Sequence, residues 1–245
     1  MDQNFNQKPY ASARLRALMT ILLLGAGAAC DALSLVVNAA LGGMLPEAGV
    51  GSAPYEVGES ATELLYVGVA LLQLVVFIVT VVAFLLWMHR AYRNLPALGA
   101  VRLDTTPGWA VCFFFIPFVN LIKPFQVVRE IWHESMHGGE AQGNFGGVSP
   151  RSGTPALVGW WWAFWIVANI VARVSDRATE MTGTIDGMLL ASRLVIASNA
   201  LFIVAALLAI MVVRRIDEMQ EAKFGQMAAQ GPPPPPDSFE SPRIA

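Results

Sequence analysis

Charge is scarce in this chain. Of its 245 residues, Lys and Arg make up 16 and Asp and Glu 18, a charged fraction of 14%, where a soluble domain carries about 25%. Water is not the solvent for which such a composition is suited. The net charge of -2 leaves no electrostatic footprint for a polyanion, which excludes nucleic acid as a partner. Cysteine is nearly absent as well. Cys30 and Cys112 are the two in the chain, and both stand in apolar runs, where burial keeps thiols inert and speaks against a disulfide framework or a cysteine metal site. Histidine occurs three times. No glycine-rich phosphate cradle and no nucleophile elbow is present.

Hydrophobic sequence is what the chain has in quantity, at 55%, and it is clustered into runs rather than spread as stripes. A run of about 20 apolar residues crosses a bilayer. The reading is therefore an all-α, polytopic membrane protein with the lipid bilayer as its first partner. Four spans are expected, over 17–41, 64–88, 156–172 and 190–213. Residues 1–16 are polar and expected to be disordered and cytoplasmic, because Arg14 and Arg16 stand directly before the first span. A cleavable signal peptide competes for this stretch, with Gly27, Ala28, Ala29 and Cys30 resembling a lipoprotein cleavage site. Against cleavage, the apolar run continues past Asp31. Residues 42–63 hold Glu47, Glu56 and Glu59 and no Lys or Arg before Glu63, as expected of an extracytoplasmic loop.

Between the second and third spans the pattern breaks. Trp109 to Ile122 is fourteen residues, which as a helix reaches only about 21 Å against a hydrocarbon core of about 30 Å. Pro117 removes a backbone donor, Asn120 is polar, and Lys123 with Pro124 ends the run, so residues 107–135 are expected to form a proline-broken re-entrant or interfacial segment. After Pro124, the positions Phe125, Val128, Ile131 and Trp132 recur at helical spacing opposite Arg129, Glu130 and Glu134, which predicts an amphipathic helix on the inner surface. Charge arithmetic supports four spans. With both termini inside, thirteen of the sixteen Lys and Arg residues are cytoplasmic and Arg173, Arg177 and Arg193 remain outside, whereas a fifth crossing exports the Arg214 and Arg215 pair and violates the positive-inside rule.

Further along, 138–154 reads as a glycine-rich connector, the tryptophans Trp160, Trp161, Trp162 and Trp165 as an interfacial belt, and 173–186 as a mixed-charge loop. Residues 219–245 read as a disordered proline-rich tail, with Pro232 to Pro236 in an extended, stiff run.

Three constellations carry possible chemistry. Asp31 lies near the middle of the first span, with Asn38 on the same helix face. A carboxylate there costs about 2.5–3.5 kcal/mol on insertion scales, so it serves either as a proton or cation site or, more plainly, as one end of an interhelical hydrogen bond. Trp87, Arg90 and Asn94, at i, i+3 and i+7, share a face just inside the headgroups if the second helix continues. His133, Glu134 and His137 spell H-E-x-x-H, the pattern of a zinc-binding helix, with Glu140 available as a third ligand. Gly138 and Gly139 end that helix at once, no apolar flank dries the site, and His89 is far away in sequence, so the plainer reading is a polar helix end and no metal or cofactor is expected.

Around these residues the chain resembles the bacterial multi-pass membrane proteins grouped as domain of unknown function 4328. The resemblance rests on Trp87, Arg90 and Asn94 after a span, then Gly108-Trp109-Ala110-Val111, Pro117, Asn120, Pro124, Arg129, Glu130 and Trp132. It continues in Trp160 to Trp162, Asn169 and Val212-Val213-Arg214-Arg215, covering about 64–218. It implies a polytopic inner-membrane protein with no assigned activity, and a basic residue in place of His133 with no second histidine after it, which makes H-E-x-x-H incidental. The expected function is that of a non-enzymatic binding, assembly or regulatory membrane protein. Arg90, Arg93, Asn94, Asn120, Arg129 and Glu130 are its inner-face surface, toward an unknown protein partner or a second copy. The alternatives are a small transporter or channel that uses the broken segment and Asp31, and a membrane zinc metalloprotease.

Overall fold

Apolar runs this long leave the backbone one way to satisfy its own hydrogen bonds without a closed barrel, which is to coil. The computed structural model describes residues 9–44, 61–137, 155–181 and 185–230, and among them there is no strand. Six helices form: α1 (Arg14–Met44), α2 (Ala61–Asn94), α3 (Pro107–Cys112), α4 (Lys123–His137), α5 (Ala156–Met181) and α6 (Ile185–Gln230). Four of them contain stretches long and apolar enough to cross a membrane, Arg14–Val37, Val67–Asn94, Ala156–Ala178 and Leu190–Ala229.

α1 lies between α2 and α6, and α6 between α1 and α5, so the long helices run α2–α1–α6–α5 in an open arc. α2 and α5 stand at its two ends and do not pack along their length. On α2 the side chains of Leu71, Leu74, Val75, Ile78 and Val82 are exposed, which costs nothing when the surrounding solvent is lipid. Tight packing concentrates instead at the end where Arg14, Arg90 and Arg214 stand, here called the basic end. Trp87, Met88 and Tyr92 of α2, Val128 and Ile131 of α4, Val158 of α5 and Val213 and Ile216 of α6 are fully buried in one cluster there.

The proline-broken segment forms a hairpin that returns to the basic end. Thr106 caps α3 by accepting from the Trp109 N–H at 3.4 Å, with Pro107 in the first helical position, where its missing donor is harmless. The helix stops at Cys112, five residues before Pro117, because the proline ring excludes the carbonyl of Phe113 and forces Ile116 out of the helical region. The chain then turns through Pro117, whose carbonyl accepts from the Val119 N–H at 2.8 Å. That closes a γ-turn about Phe118, a non-glycine residue at φ 65° and ψ -43°, which is a strained geometry. A single turn of 3-10 helix at Val119–Leu121 leads into α4.

Several expectations need correcting. Residues 9–13 are ordered against the basic end rather than free. Met181 ends α5 and Ile185 begins α6, so the mixed-charge loop expected at 173–186 is nearly all helix, and Ser175 is buried with its hydroxyl 3.3 Å from the Ala191 carbonyl. The tail expected from 219 remains helical to Gln230, held first by Glu218 pairing with Arg214 at 2.9 Å and Arg215 at 3.7 Å. α4 presents its apolar face to α5 and α6 instead of lipid, as the complete burial of Val128 and Ile131 requires. The loop core at 45–60, the connector at 138–154 and the prolines from Pro232 lie outside the described residues.

Candidate functional site

At the basic end, polar side chains on three helices converge on the N-terminal segment, residues 9–13 before α1. α2 carries Asn94 one turn past Arg90, and both reach the backbone of Ala11. Asn94 Nδ2 donates to the Ala11 carbonyl at 2.9 Å, Arg90 Nε donates to the same oxygen at 3.0 Å, and Asn94 Oδ1 accepts from the Ala11 N–H at 3.4 Å. Gln220 of α6, fully buried, accepts from Asn94 Nδ2 at 3.5 Å and donates to the Ala91 carbonyl at 3.0 Å and to Ser135 Oγ of α4 at 3.1 Å. Lys223 Nζ donates to the Glu134 carbonyl at 3.1 Å. Tyr10 donates to Glu221 Oε1 at 3.1 Å and stacks on Phe224 with ring centroids 4.2 Å apart, and Ser12 donates to the same carboxylate. Burial and the Glu221 carboxylate push the Tyr10 hydroxyl well above its ordinary range, which keeps it a donor at neutral pH.

Glu130 closes the hairpin. Its Oε1 accepts from the Asp104 N–H at 2.7 Å, and the Tyr92 hydroxyl lies 3.0 Å from its Oε2 while accepting from the Thr105 N–H at 3.1 Å. Together these bonds make a cap. Of the residues expected to form an open inner-face surface, Arg90, Asn94 and Glu130 are turned into this cap. Arg129 sets its guanidinium 5.9 Å from the Phe125 ring centroid. Trp87 and Pro124 are buried, and Trp109 and Pro117 are exposed on the hairpin. Trp87 Nε1 and Asn120 Oδ1 are buried with no hydrogen-bond partner.

His133 and Glu134 sit on α4, with Ser135 buried between them and α6. The side chain of His137 and all of Glu140 lie outside the described residues, and no group of three metal-ligating side chains occurs among those described.

Above the cap, the gap between α2 and α5 is a cleft of about 510 Å³. Its walls come from α1, α2, α5 and α6, and the hairpin closes it toward the basic end with Phe114. Phe84 meets Phe114 at 6.0 Å and Trp161 at 5.9 Å, Trp161 meets Trp162 at 5.4 Å, and Trp162 stacks on Trp165 at 4.7 Å. Trp162 Nε1 donates to the Leu121 carbonyl at 2.9 Å, which fixes the hairpin to α5. Trp161, Trp162 and Trp165 of the tryptophan cluster thus line the cleft, while Trp160 is exposed outside it. Small residues, Gly27, Ala28, Ala205, Ala206 and Ala209, make the back wall.

Polar groups collect at the other end of the cleft. Asp31 Oδ1 accepts from Gln73 Nε2 at 3.1 Å, and the same amide nitrogen is 3.4 Å from the Cys30 carbonyl. Asn199 donates to Ser34 Oγ at 3.0 Å, linking α6 to α1, and Asn169 donates to the Trp165 carbonyl at 2.8 Å. Asp31, Gln73, Asn169 and Asn199 all line the cleft. The side chain of Asn38 lies outside the described residues. Sequence reasoning found Asp31 and did not join the amides to it, although residue counting supplied a signal. Asp31 is 17 residues beyond Arg14 and Gln73 is 17 before Arg90, which at about 1.5 Å per residue places both about 25 Å from the basic end.

The family described as a domain of unknown function (DUF4328) matches residues 53–218. No curated protein and no solved structure matches.

Proposed function

This chain belongs to the DUF4328 family, and we propose that it is a multi-pass membrane protein that acts by binding rather than by catalysis. Its site is the cleft between α2 and α5, and its ligand is an amphipathic small molecule drawn from the bilayer. The observation that carries this reading is the cleft itself: 510 Å³ of space at membrane depth, mostly apolar, with polar groups gathered at one end. Ligand sites have this size and character. The cap supports the reading in a second way. It fastens α2, α4, α6 and the N-terminal segment to one another at one end, which fixes α2 relative to α6, the helix on which α5 packs.

We place the basic end in the cytoplasm of a bacterial cell, in the inner membrane, with both termini on that side, because thirteen of the sixteen Lys and Arg residues then lie inside. Single cysteines at Ser52 and Gln142, in a chain whose Cys30 and Cys112 are replaced by alanine, test this. Labelling of position 142 from outside the cell overturns it.

Native mass spectrometry tests the binding. Protein extracted from its membrane in mild detergent is expected to carry a small amphipathic adduct, and Ala206→Trp, which fills the back wall, is expected to lose it while remaining monodisperse. A wild-type protein that carries no adduct and takes up no lipophilic probe removes the reading. Transport along the same cleft is a second reading, favoured by Phe114 of the hairpin and Asp31 lining one space. Flux of a bound probe across reconstituted vesicles separates a carrier from a binder.

A further inference from the structure

We infer that the occupant of the cleft is a lipophilic cation, with its charge beside Asp31 and its apolar body on the aromatic wall. The inference rests on the binding reading and concerns the chemistry of the ligand. Among the side chains lining the cleft there is one carboxyl group and no Lys, Arg or His. Gln73 supplies Asp31 with one N–H, and the amides of Asn169 and Asn199 bond elsewhere, so hydrogen bonding steadies the carboxyl group without balancing its charge. An ionised carboxylate at that depth is costly when unpaired. A cation within the cleft supplies the missing counter-charge.

The rest of the lining suits the same class of ligand. Phe77, Trp165 and Phe202 belong to the wall that Asp31 completes, and ring faces attract desolvated cations more strongly than exposed ones. An anion of the same shape meets the carboxylate and the negative ring faces and is repelled by both. A neutral molecule gains the apolar wall and leaves Asp31 as it was. Hydrophobic amines, quaternary ammonium ions and phosphonium ions are therefore the chemical class that this lining discriminates in favour of.

The experiment uses full-length protein in nanodiscs of zwitterionic lipid, with quenching of the cleft tryptophans as the readout and protein-free discs as the reference for partition. Three probes are compared: tetraphenylphosphonium, its anionic shape-mate tetraphenylborate, and the neutral dye Nile red. Saturable binding of the phosphonium and not of the borate is expected. Asp31→Asn, which keeps an acceptor for Gln73, is expected to weaken the phosphonium by about tenfold or more, since losing one partner of a buried charge pair costs at least that much. Nile red binding falls by less than that of the phosphonium in that variant, and Asp31→Glu retains the cation. Equal binding of phosphonium and borate, or an Asp31→Asn protein that holds the phosphonium as tightly as wild type, overturns the inference. Nile red binding with no preference for charge leaves the cleft reading standing and removes only the cation. Binding of none of the three removes both. The phosphonium and borate comparison on the wild-type protein decides the matter even where the variant does not fold.

Discussion

Asn94 and Asn120 carry the same amide into opposite circumstances. Asn94 is 2% exposed, and its two amide atoms bond the backbone of Ala11 and the side chain of Gln220. Removing it takes the partner from the Ala11 N–H and from Gln220 Oε1, while the Ala11 carbonyl keeps Arg90. Asn120 holds its Oδ1 buried with no partner, so nothing is stranded when that oxygen goes. A buried polar atom whose partner is deleted costs about 1–3 kcal/mol, whereas deleting an atom that was already unpaired costs little. Asn94→Ala is therefore expected to lower unfolding stability in detergent by about 1–3 kcal/mol, and Asn120→Leu to leave it within about 0.5 kcal/mol of wild type or to raise it. Chemical denaturation followed by tryptophan emission measures both. Equal losses in the two variants contradict the bonding described for Asn94.

Among the elements, the hairpin is the one whose shape depends on strain. Phe118 sits at φ 65° with 85% of its surface exposed, so its side chain contributes little packing while its Cβ opposes the backbone. Glycine adopts that region freely. Phe118→Gly is expected to raise stability by about 1 kcal/mol, the low end of what such a conformation costs, with the far-ultraviolet spectrum unchanged. A loss of stability shows instead that the ring anchors the hairpin.

The four long helices and the interruption were legible in the sequence because both follow from composition over short windows: apolar runs of span length, and a proline with Lys123-Pro124 behind it. The helix ends were not. Residues 173–181 and 219–230 have too little apolar content to be read as packed helix, yet Ser175 finds the Ala191 carbonyl on α6, and the region around Gln220 finds α4 and the N-terminal segment. Those partners are distant in sequence, so no local window reports them. The candidate site divides in the same way. Asp31 is conspicuous as a charge in an apolar run, whereas the cleft exists because α5 packs along α6 and meets α2 only near Phe84 and Trp161, a fact of assembly that no single residue records.

An open arc of helices needs something to keep it from closing. α6 has 46 residues, a helix of about 69 Å, and its last part stands clear of any bilayer about 30 Å thick. That extension is tied to α4 through Gln220 and Lys223 and to α2 through Gln220 and Ala91. The N-terminal segment lies across the join, bonding α2 at Asn94 and Arg90 and α6 at Glu221, and stacking Tyr10 on Phe224. Deleting residues 2–12 removes all of those contacts without touching a span. Each hydrogen bond lost is worth about 1 kcal/mol, and the amides concerned open locally rather than with the whole fold. Amide exchange over 217–230 is therefore expected to accelerate by about tenfold or more in the truncated protein, while amides at the depth of Gln73 and Asn199 keep their protection. Looser attachment of α6 also relaxes the spacing of α2 and α5, so the adduct retained through extraction should fall together with the protection. Exchange over 217–230 that does not change on truncation means that the Gln220 and Lys223 bonds to α2 and α4, with the Arg214 and Arg215 pairs to Glu218, hold the extension without the N-terminal segment, and that segment is then no part of what keeps the cleft open.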